Sequence, residues 1–337
     1  MSMKVVEVPG PNQPFQVAKR PIPTPGEHEV LIKVLACGVC HSDVAVLAGM
    51  AKSYPRIPGH EVCGRIAKRG PRVADRLREG TLVGVGWHGG NCFTCDMCRA
   101  GQYFACEKEF VTGLTFDGGY AEYMIAREDA VAVCPEDMDP VEIAPLLCAG
   151  VTVYNGMRNA GLRPGDVCAI QGVGGLGHLA IQYARQMGFI TVVLSTSDSK
   201  RELATKLGAH TYINQSQVDA IAEINKLGGA NLVIATAPHA DSISPLVKCL
   251  ATNGTLLVAA VPLEPLNIEA AMLIKKRAKV LGWYSGVAKD SEECAKFSKL
   301  TGCKPMIKKY SLDQAQTAFD EMMANKLRFR AVIDLSL

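Results

Sequence analysis

No stretch of eighteen apolar residues interrupts this 337-residue chain, so nothing in it reads as a membrane-spanning helix. Strong charge of one sign is missing too: 36 Lys and Arg stand against 33 Asp and Glu, a net charge of +3. No basic run is interleaved with aromatics, which excludes nucleic acid as an expected partner. The opening MSMKVVEVPG has no cationic stretch followed by an apolar one, so no secretory leader is visible. The terminal LSL lacks the basic middle residue of a peroxisomal address. No internal repeat or low-complexity tract occurs. A cytoplasmic protein is expected. Cysteine, by contrast, is abundant: thirteen residues, not spaced as a small secreted disulfide framework. A hydrophobic content of 48% is ample for the two domains that the length allows.

The pattern along the chain divides in the same way. Residues 1–150 are rich in Gly, Pro and short β-branched runs such as EVLIKVLACGV, EVCGRIAK and TLVGVGW, which read as an irregular β-rich unit. From about residue 151 strands and helices alternate. DVCAIQG precedes a helical stretch ending at Gly188, and FITVVLS precedes SKRELATKLGA, where Ser199 with Glu202 predicts a capping box and Gly208 a helix stop. ANLVIATA and GTLLVAAVP continue as strands. Such alternation predicts a doubly wound parallel sheet. The last fifty residues return to mixed character and are expected to complete the first domain.

Two groups of residues have metal-ligand character. Cys92, Cys95, Cys98 and Cys106 form a C-x2-C-x2-C-x7-C array within one short polar loop. Cysteines two residues apart can turn their thiolates toward one centre, and the loop 99–105 returns the fourth, so a closed tetrahedral zinc site of structural type is expected. Free or disulfide-bonded cysteines, or an iron–sulfur site, are the alternatives. Elsewhere CGVCHSD (37–43), GHEVCG (59–64) and LLCAGVT (146–152) offer thiolates, an imidazole and carboxylates. Two thiolates and one imidazole would leave a coordination position open, the arrangement of a catalytic zinc. From spacing alone, Cys37 and Cys40 could equally be a redox pair and Cys148 a plain core cysteine.

The segment QGVGGLG places Gly172, Gly174 and Gly177 in G-x-G-x-x-G spacing, with Gly175 and Leu176 inside the turn, after an expected strand and at the start of a helix. That context is what a dinucleotide-binding turn requires: a tight bend, close approach of backbone to a pyrophosphate, and a helix N-terminus that attracts anions. At the end of the following strand an NAD site normally offers a carboxylate to the ribose 2′-hydroxyl. Here Ser195 stands in that position, followed by Thr196, Ser197, Asp198, Lys200 and Arg201. Hydroxyls with two cations would hold a 2′-phosphate that a carboxylate would repel, so NADP(H) is preferred over NAD(H). Lys200 and Arg201 could also be no more than a solvated helix face.

Taken in order, CGVCHSD, PGHEVCG, the four-cysteine loop, CAGVTVYNG, GVGGLG and RAVID resemble the zinc-containing medium-chain alcohol dehydrogenases from end to end, with a cofactor loop like that of the cinnamyl alcohol dehydrogenase branch. The resemblance implies an α/β protein: a GroES-like β-rich catalytic domain (1–149 and 285–337, with a structural-zinc lobe at about 88–110) and a Rossmann domain of doubly wound parallel sheet (150–284). It implies catalytic-zinc ligands Cys40, His60 and Cys148, with Glu61 able to bind the metal when substrate is absent. Asp43 would orient His60, Ser42 would take the substrate proton, and Cys37 would be structural. His41 and Arg330 would contact the cofactor pyrophosphate, Thr152 and Leu176 would flank the nicotinamide, and Trp87 would wall the substrate pocket, although His41 could be a satisfied surface histidine and Trp87 simply packed. Implied cofactors are two zinc ions per chain and NADP(H); the implied partners are an alcohol or aldehyde and further copies of the chain, as dimer or tetramer.

Three positions depart from the family pattern. A relay histidine expected five residues after Cys40 is Ala45, the cofactor acid is Ser195, and Trp283, Tyr284 and Ser285 make the nicotinamide region bulkier than in short-chain relatives. These differences predict reduction of an aromatic or branched aldehyde in preference to ethanol oxidation. A polyol dehydrogenase would usually carry a carboxylate at Cys148. The rival from another class is a zinc-bearing redox sensor or binding protein on the same fold, since thirteen cysteines less six proposed ligands leaves seven.

Overall fold

The β-branched runs of the N-terminal part form seven strands: β1 (Ser2–Glu7), β2 (Gln16–Pro21), β3 (Glu29–Val39), β4 (Val62–Arg69), β5 (Leu82–Val85), β6 (Tyr123–Arg127) and β7 (Val131–Val133). Six more follow, β8 (Val167–Gln171), β9 (Ile190–Ser195), β10 (Thr211–Asn214), β11 (Ala230–Ala235), β12 (Leu250–Val258) and β13 (Lys279–Gly282), and then β14 (Ile307–Tyr310) and β15 (Arg330–Asp334). This computed structural model describes residues 1–337. The chain divides into two units, Met1–Val151 with Ser285–Leu337, and Thr152–Tyr284. It is an α/β protein, as the sequence pattern predicts, and no helix is long and apolar enough to cross a membrane.

In the first unit one sheet runs in the order β14-β15-β3-β4-β5-β7, with β6 also paired to β3. Its core gathers Val30, Ile32, Val34, Val62, Ile66 and Val83, all essentially shielded from water. The long strand β3 organises the unit. It pairs antiparallel with β4 on one side (Cys37 opposite Val62) and with the chain's last strand β15 on the other (Ala331 opposite Val39). Residues from positions 37–40, 60–62 and 330 are thereby neighbours although they come from both ends of the chain.

The second unit holds a parallel sheet of order β10-β9-β8-β11-β12-β13. Renumbered within the unit this is the 3-2-1-4-5-6 order of a dinucleotide-binding fold, whose reversal point lies at the carboxyl end of the first strand. That end is Gln171, one residue before Gly172. Strand β8 is buried along its whole length, as a parallel strand covered on both faces must be. The helix Gly177–Gln186 follows, and the helix Arg201–Leu207 ends on Gly208 at φ 115°.

One local expectation fails. Ser199 and Glu202 make no capping box. The helix starts one residue later than that box requires, after a single turn Asp198–Lys200, with Lys200 at the N-cap and no side-chain cap. The Ser199 hydroxyl instead meets that of Ser197 at 2.8 Å, and Glu202 pairs with Lys206 one turn on.

Candidate metal centres and glycine turn

Cys40 closes the segment after β3, at the entrance to the turn His41–Asp43, and His60 and Glu61 stand just before β4. Cys148 ends the turn that leads into the helix Ala149–Asn159. The fold brings one ligand atom from each of Cys40, His60, Glu61 and Cys148 within 4.8 Å of all the others. The two sulfurs lie 3.8 Å apart. Two zinc–sulfur bonds of about 2.3 Å at a tetrahedral angle span about 3.8 Å. His60 Nε2 and Glu61 Oε2 are buried and have no hydrogen-bond partner. Leaving such atoms unpaired costs about 1–3 kcal/mol each, and a cation between the four residues would satisfy both. The donor set therefore fits zinc.

The surroundings orient these groups. Asp43 is 2% exposed; its Oδ1 lies 3.1 Å from His60 Nδ1, which leaves Nε2 for the metal position. Its Oδ2 accepts the Cys40 amide at 3.0 Å and the Tyr120 hydroxyl at 2.9 Å. Gly38 on β3 has no side chain because Glu61 fills the space: a Cβ there would sit 1.9 Å from Glu61 Oε2. Glu61 is bonded on its other oxygen by Arg330 from β15, and both residues are buried. Trp87 stands edge-on to the His60 ring, centroids 4.8 Å apart.

Electrostatics favour a positive charge at this centre. The contact between the Cys40 and Cys148 sulfurs holds Cys40 well below its usual range and, with burial, pushes Cys148 up. Burial alone would lower the His60 imidazole, but the Asp43 carboxylate and the Cys40 sulfur hold it well above its ordinary value. Burial pushes Glu61 up to about 7 against the pull of Arg330. Anions that favour a proton on His60 would equally favour a metal cation in its place.

The four-cysteine loop forms a second cluster, with all four sulfurs within 4.8 Å of one another and Cys92 and Cys98 at 3.9 Å. Backbone amides point at the sulfurs: Cys95 at Cys92 (3.3 Å), Cys98 at Cys95 (3.4 Å) and Cys92 at Cys106 (3.3 Å). Hydrogen bonds from Thr94 and Cys95 carry the Cys92 thiol down to about 5, whereas burial pushes Cys98 up to about 12. No two cysteines of the chain are joined in a disulfide. Asn91, at the base of the loop, is anchored by Asp129 on its amide and by Arg127 on its carbonyl.

In the second unit, Gly172 turns the chain at φ 90°, and Gly177 lies so close to it that a Cβ would fall 2.0 Å from the Gly172 carbonyl oxygen. A Cβ on Gly174 would meet nothing within 4 Å. The turn is therefore packed behind and open in front, with the N-terminus of a ten-residue helix behind it, which suits a pyrophosphate. Gly175 and Leu176 complete the bend, and Thr152 is buried in the helix Ala149–Asn159. Ser195 ends β9 half-buried, and Thr196 and Ser197 are exposed. The two cations behind them are engaged within the chain. Lys200 Nζ donates to the Val173 carbonyl at 2.9 Å, and Arg201 grips Asp198 through Nε and Nη2 at 2.9 and 2.6 Å. Asp198 also accepts from Asn214 and Gln217, so it faces its own unit.

Within the first unit the structure brings Cys40, Asp43, His60, Glu61, Trp87, Cys148 and Arg330 together, with His41 exposed and Ser42 half-buried on the adjoining turn. Sequence reasoning missed Tyr120 and the buried engagement of Arg330. Both are contacts set by strand pairing, with no local signature.

Residues 26–136 match the alcohol dehydrogenase GroES-like domain and residues 175–301 the zinc-binding dehydrogenase domain. The alcohol dehydrogenase notN of Aspergillus sp. is 42% identical over 96% of this chain and 95% of its own length. Among solved structures, a cinnamyl alcohol dehydrogenase of Sorghum bicolor superposes with a TM-score of 0.89 at 30% identity, covering 100% of this chain and 98% of that one. A cinnamyl alcohol dehydrogenase of Helicobacter pylori complexed with NADP(H) gives 0.86 at 26%, covering 100% and 99%.

Proposed function

Since the chain belongs to the zinc-containing medium-chain alcohol dehydrogenase family, we propose that it transfers a hydride between NADP(H) and a primary alcohol or aldehyde larger than ethanol, aromatic or branched. The observation that carries this reading is the buried Cys40–His60–Cys148 set, whose His60 Nε2 lacks any partner in the protein. Zinc bound there supplies a Lewis acid that polarises the substrate oxygen, and a second zinc in the four-cysteine loop holds that lobe together. The catalytic domain spans 1–149 and 285–337, and the dinucleotide domain 150–284.

The chain's own residues then have separate tasks. Asp43 fixes the His60 ring, Arg330 holds one Glu61 oxygen while the other faces the metal position and can bind the metal when substrate is absent, and the Ser42 hydroxyl relays the substrate proton. Trp87 stands edge-on against His60 as an apolar wall of the substrate position. Gly172, Gly174, Gly175 and Gly177 cradle the pyrophosphate, with His41 and Arg330 as its cationic contacts, and Thr152 and Leu176 flank the nicotinamide. Ser195, Thr196, Ser197, Lys200 and Arg201 take the 2′-phosphate. The exposed apolar residues Val261, Leu263 and Ile274 support a homo-oligomer, and a cytoplasmic location fits the reduced cysteines.

A second reading, NAD(H) use, is favoured by the engagement of Arg201 with Asp198 and of Lys200 with Val173. One experiment tests both readings: steady-state reduction of an aldehyde series, from small aliphatic to bulky aromatic, with NADPH and NADH in parallel. Rising kcat/KM with substrate size and an NADPH preference are expected. Failure to reduce any aldehyde would overturn the reading.

A further inference from the structure

We propose that Tyr120 is a positioning residue for the Cys40–His60–Cys148 centre, acting through Asp43; this rests on the reading that those three residues hold zinc. Asp43 carries three hydrogen-bond donors. The Cys40 amide (3.0 Å) and the Tyr120 hydroxyl (2.9 Å) share Oδ2, and His60 Nδ1 faces Oδ1 at 3.1 Å. Two of these donors belong to residues of the metal centre. Tyr120 alone comes from outside it, 77 residues away, so it is the contact that ties the carboxylate to the rest of the unit. With Oδ2 held by two donors, the carboxylate cannot rotate, and Oδ1 stays aimed at His60. That contact keeps the proton on Nδ1 and the free lone pair on Nε2.

The phenol is built to stay in place. Tyr120 is fully buried. Its ring fits against Gly59, where a Cβ would come within 2.5 Å of it, and stands edge-on to Phe15 at 5.8 Å. The Tyr120 backbone is bonded to the strip leading into His60: Tyr120 N–H donates to Pro58 at 3.0 Å and Gly119 N–H to Gly59 at 2.9 Å. Donor, carboxylate and imidazole are thus mounted on one another. Burial and the Asp43 charge push the phenol well above its usual value, so it remains a donor throughout the working range.

The test is Tyr120→Phe in the full-length, zinc-loaded chain, which keeps the ring and removes the hydroxyl. Loss of an outer partner of this kind typically costs 10–100-fold in metal affinity or activity. Zinc release from the Cys40–His60–Cys148 centre to a colorimetric chelator should therefore accelerate at least about tenfold, with release from the four-cysteine loop unchanged. The visible spectrum of cobalt at the first centre should shift. In an Asp43→Asn background the same change should add nothing, because its route is gone. Unaltered release and spectrum, or an equal acceleration in the Asp43→Asn background, would overturn the proposal. If Tyr120→Phe does not fold, 3-fluorotyrosine at position 120, a stronger donor of similar size, should slow release, and no change would count against the role. Should Cys148→Ser leave the zinc content of the chain unaltered, the metal assignment itself fails. Zinc lost in Cys148→Ser but release unmoved in Tyr120→Phe rejects the positioning role alone.

Discussion

Arg330 and Glu61 lie 269 residues apart in sequence, yet their side chains form a buried ion pair beside the Cys40–Cys148 sulfurs. The contact exists because β15 and β4 flank β3 on opposite sides, and because Gly38 between them leaves room for the Glu61 side chain. Removing one member of such a pair leaves an uncompensated charge, at a cost of about 3–5 kcal/mol, whereas replacing both can be nearly neutral. Arg330→Met should therefore destabilise the zinc-loaded chain strongly, and Glu61→Gln with Arg330→Met should restore most of the loss. Denaturant unfolding reads both; equal stability of single and double variants would show that the pair is not coupled.

The two cysteine clusters predict separable losses. Cys95→Ser removes one of four thiolates from a closed set, and binding energy at such a site contributes directly to folding. That variant should melt earlier. Cys148→Ser should keep most of its stability and lose turnover. Elemental analysis should give two zinc ions per wild-type chain and one in Cys148→Ser; a fully active chain with one zinc or none contradicts the assignment.

On the proposed reading, cofactor choice is decided at the end of β9. A charge-assisted contact to phosphate is worth about 1.5–3 kcal/mol, so Lys200→Ala should raise KM for NADPH about tenfold and leave NADH nearly unaffected. Ser195→Asp should invert the preference by placing a carboxylate against the 2′-phosphate. Because Arg201 is gripped by Asp198, Asp198→Ala should free the guanidinium and strengthen NADPH binding. Kinetics with both cofactors measure each change, and identical NADPH and NADH constants in the wild type would argue against the phosphate site.

Acid stability should depend on Glu128. Burial raises its carboxyl, but the Ala74 amide (2.9 Å) and the His28 ring (2.7 Å), with Arg76 nearby, carry it below its ordinary value. A depressed folded-state value means stability that is fully present above the unfolded value and is lost as pH falls through the folded one. Glu128→Gln should be less stable than wild type at pH 7 and converge on it below about pH 4. Melting temperatures across that range provide the check; parallel curves would remove Glu128 from the acid limb.

Legibility followed sequence distance. The four-cysteine array is readable because its donors sit in one short loop, and the structure has all four sulfurs in one cluster. The glycine turn is readable because strand, bend and helix are contiguous. The capping box at Ser199 failed for a local reason. Ser195–Arg201 is a hydrogen-bonded loop in which Asp198 collects Arg201, Asn214 and Gln217, and that network delays the helix start beyond what a cap pattern can express. For the same reason the cationic look of Lys200 and Arg201 concealed their internal partners.

Spacing and residue chemistry by themselves determined the α/β class, the turn at Gly172 and the four-cysteine loop, because each of those depends on neighbours within a few residues or on a repeating period; the Cys40, His60 and Cys148 set was implied by the family resemblance, and the fold brings it together. Only the tertiary structure decided that Arg330 meets Glu61, that Tyr120 donates to Asp43, and that Gly38 must lack a side chain. Those contacts depend on the register of β3 against β4 and β15, and on the return of residues 118–120 along the strip 57–59. Pairing between distant strands is set by the packing of a whole core, and no short stretch of sequence encodes it.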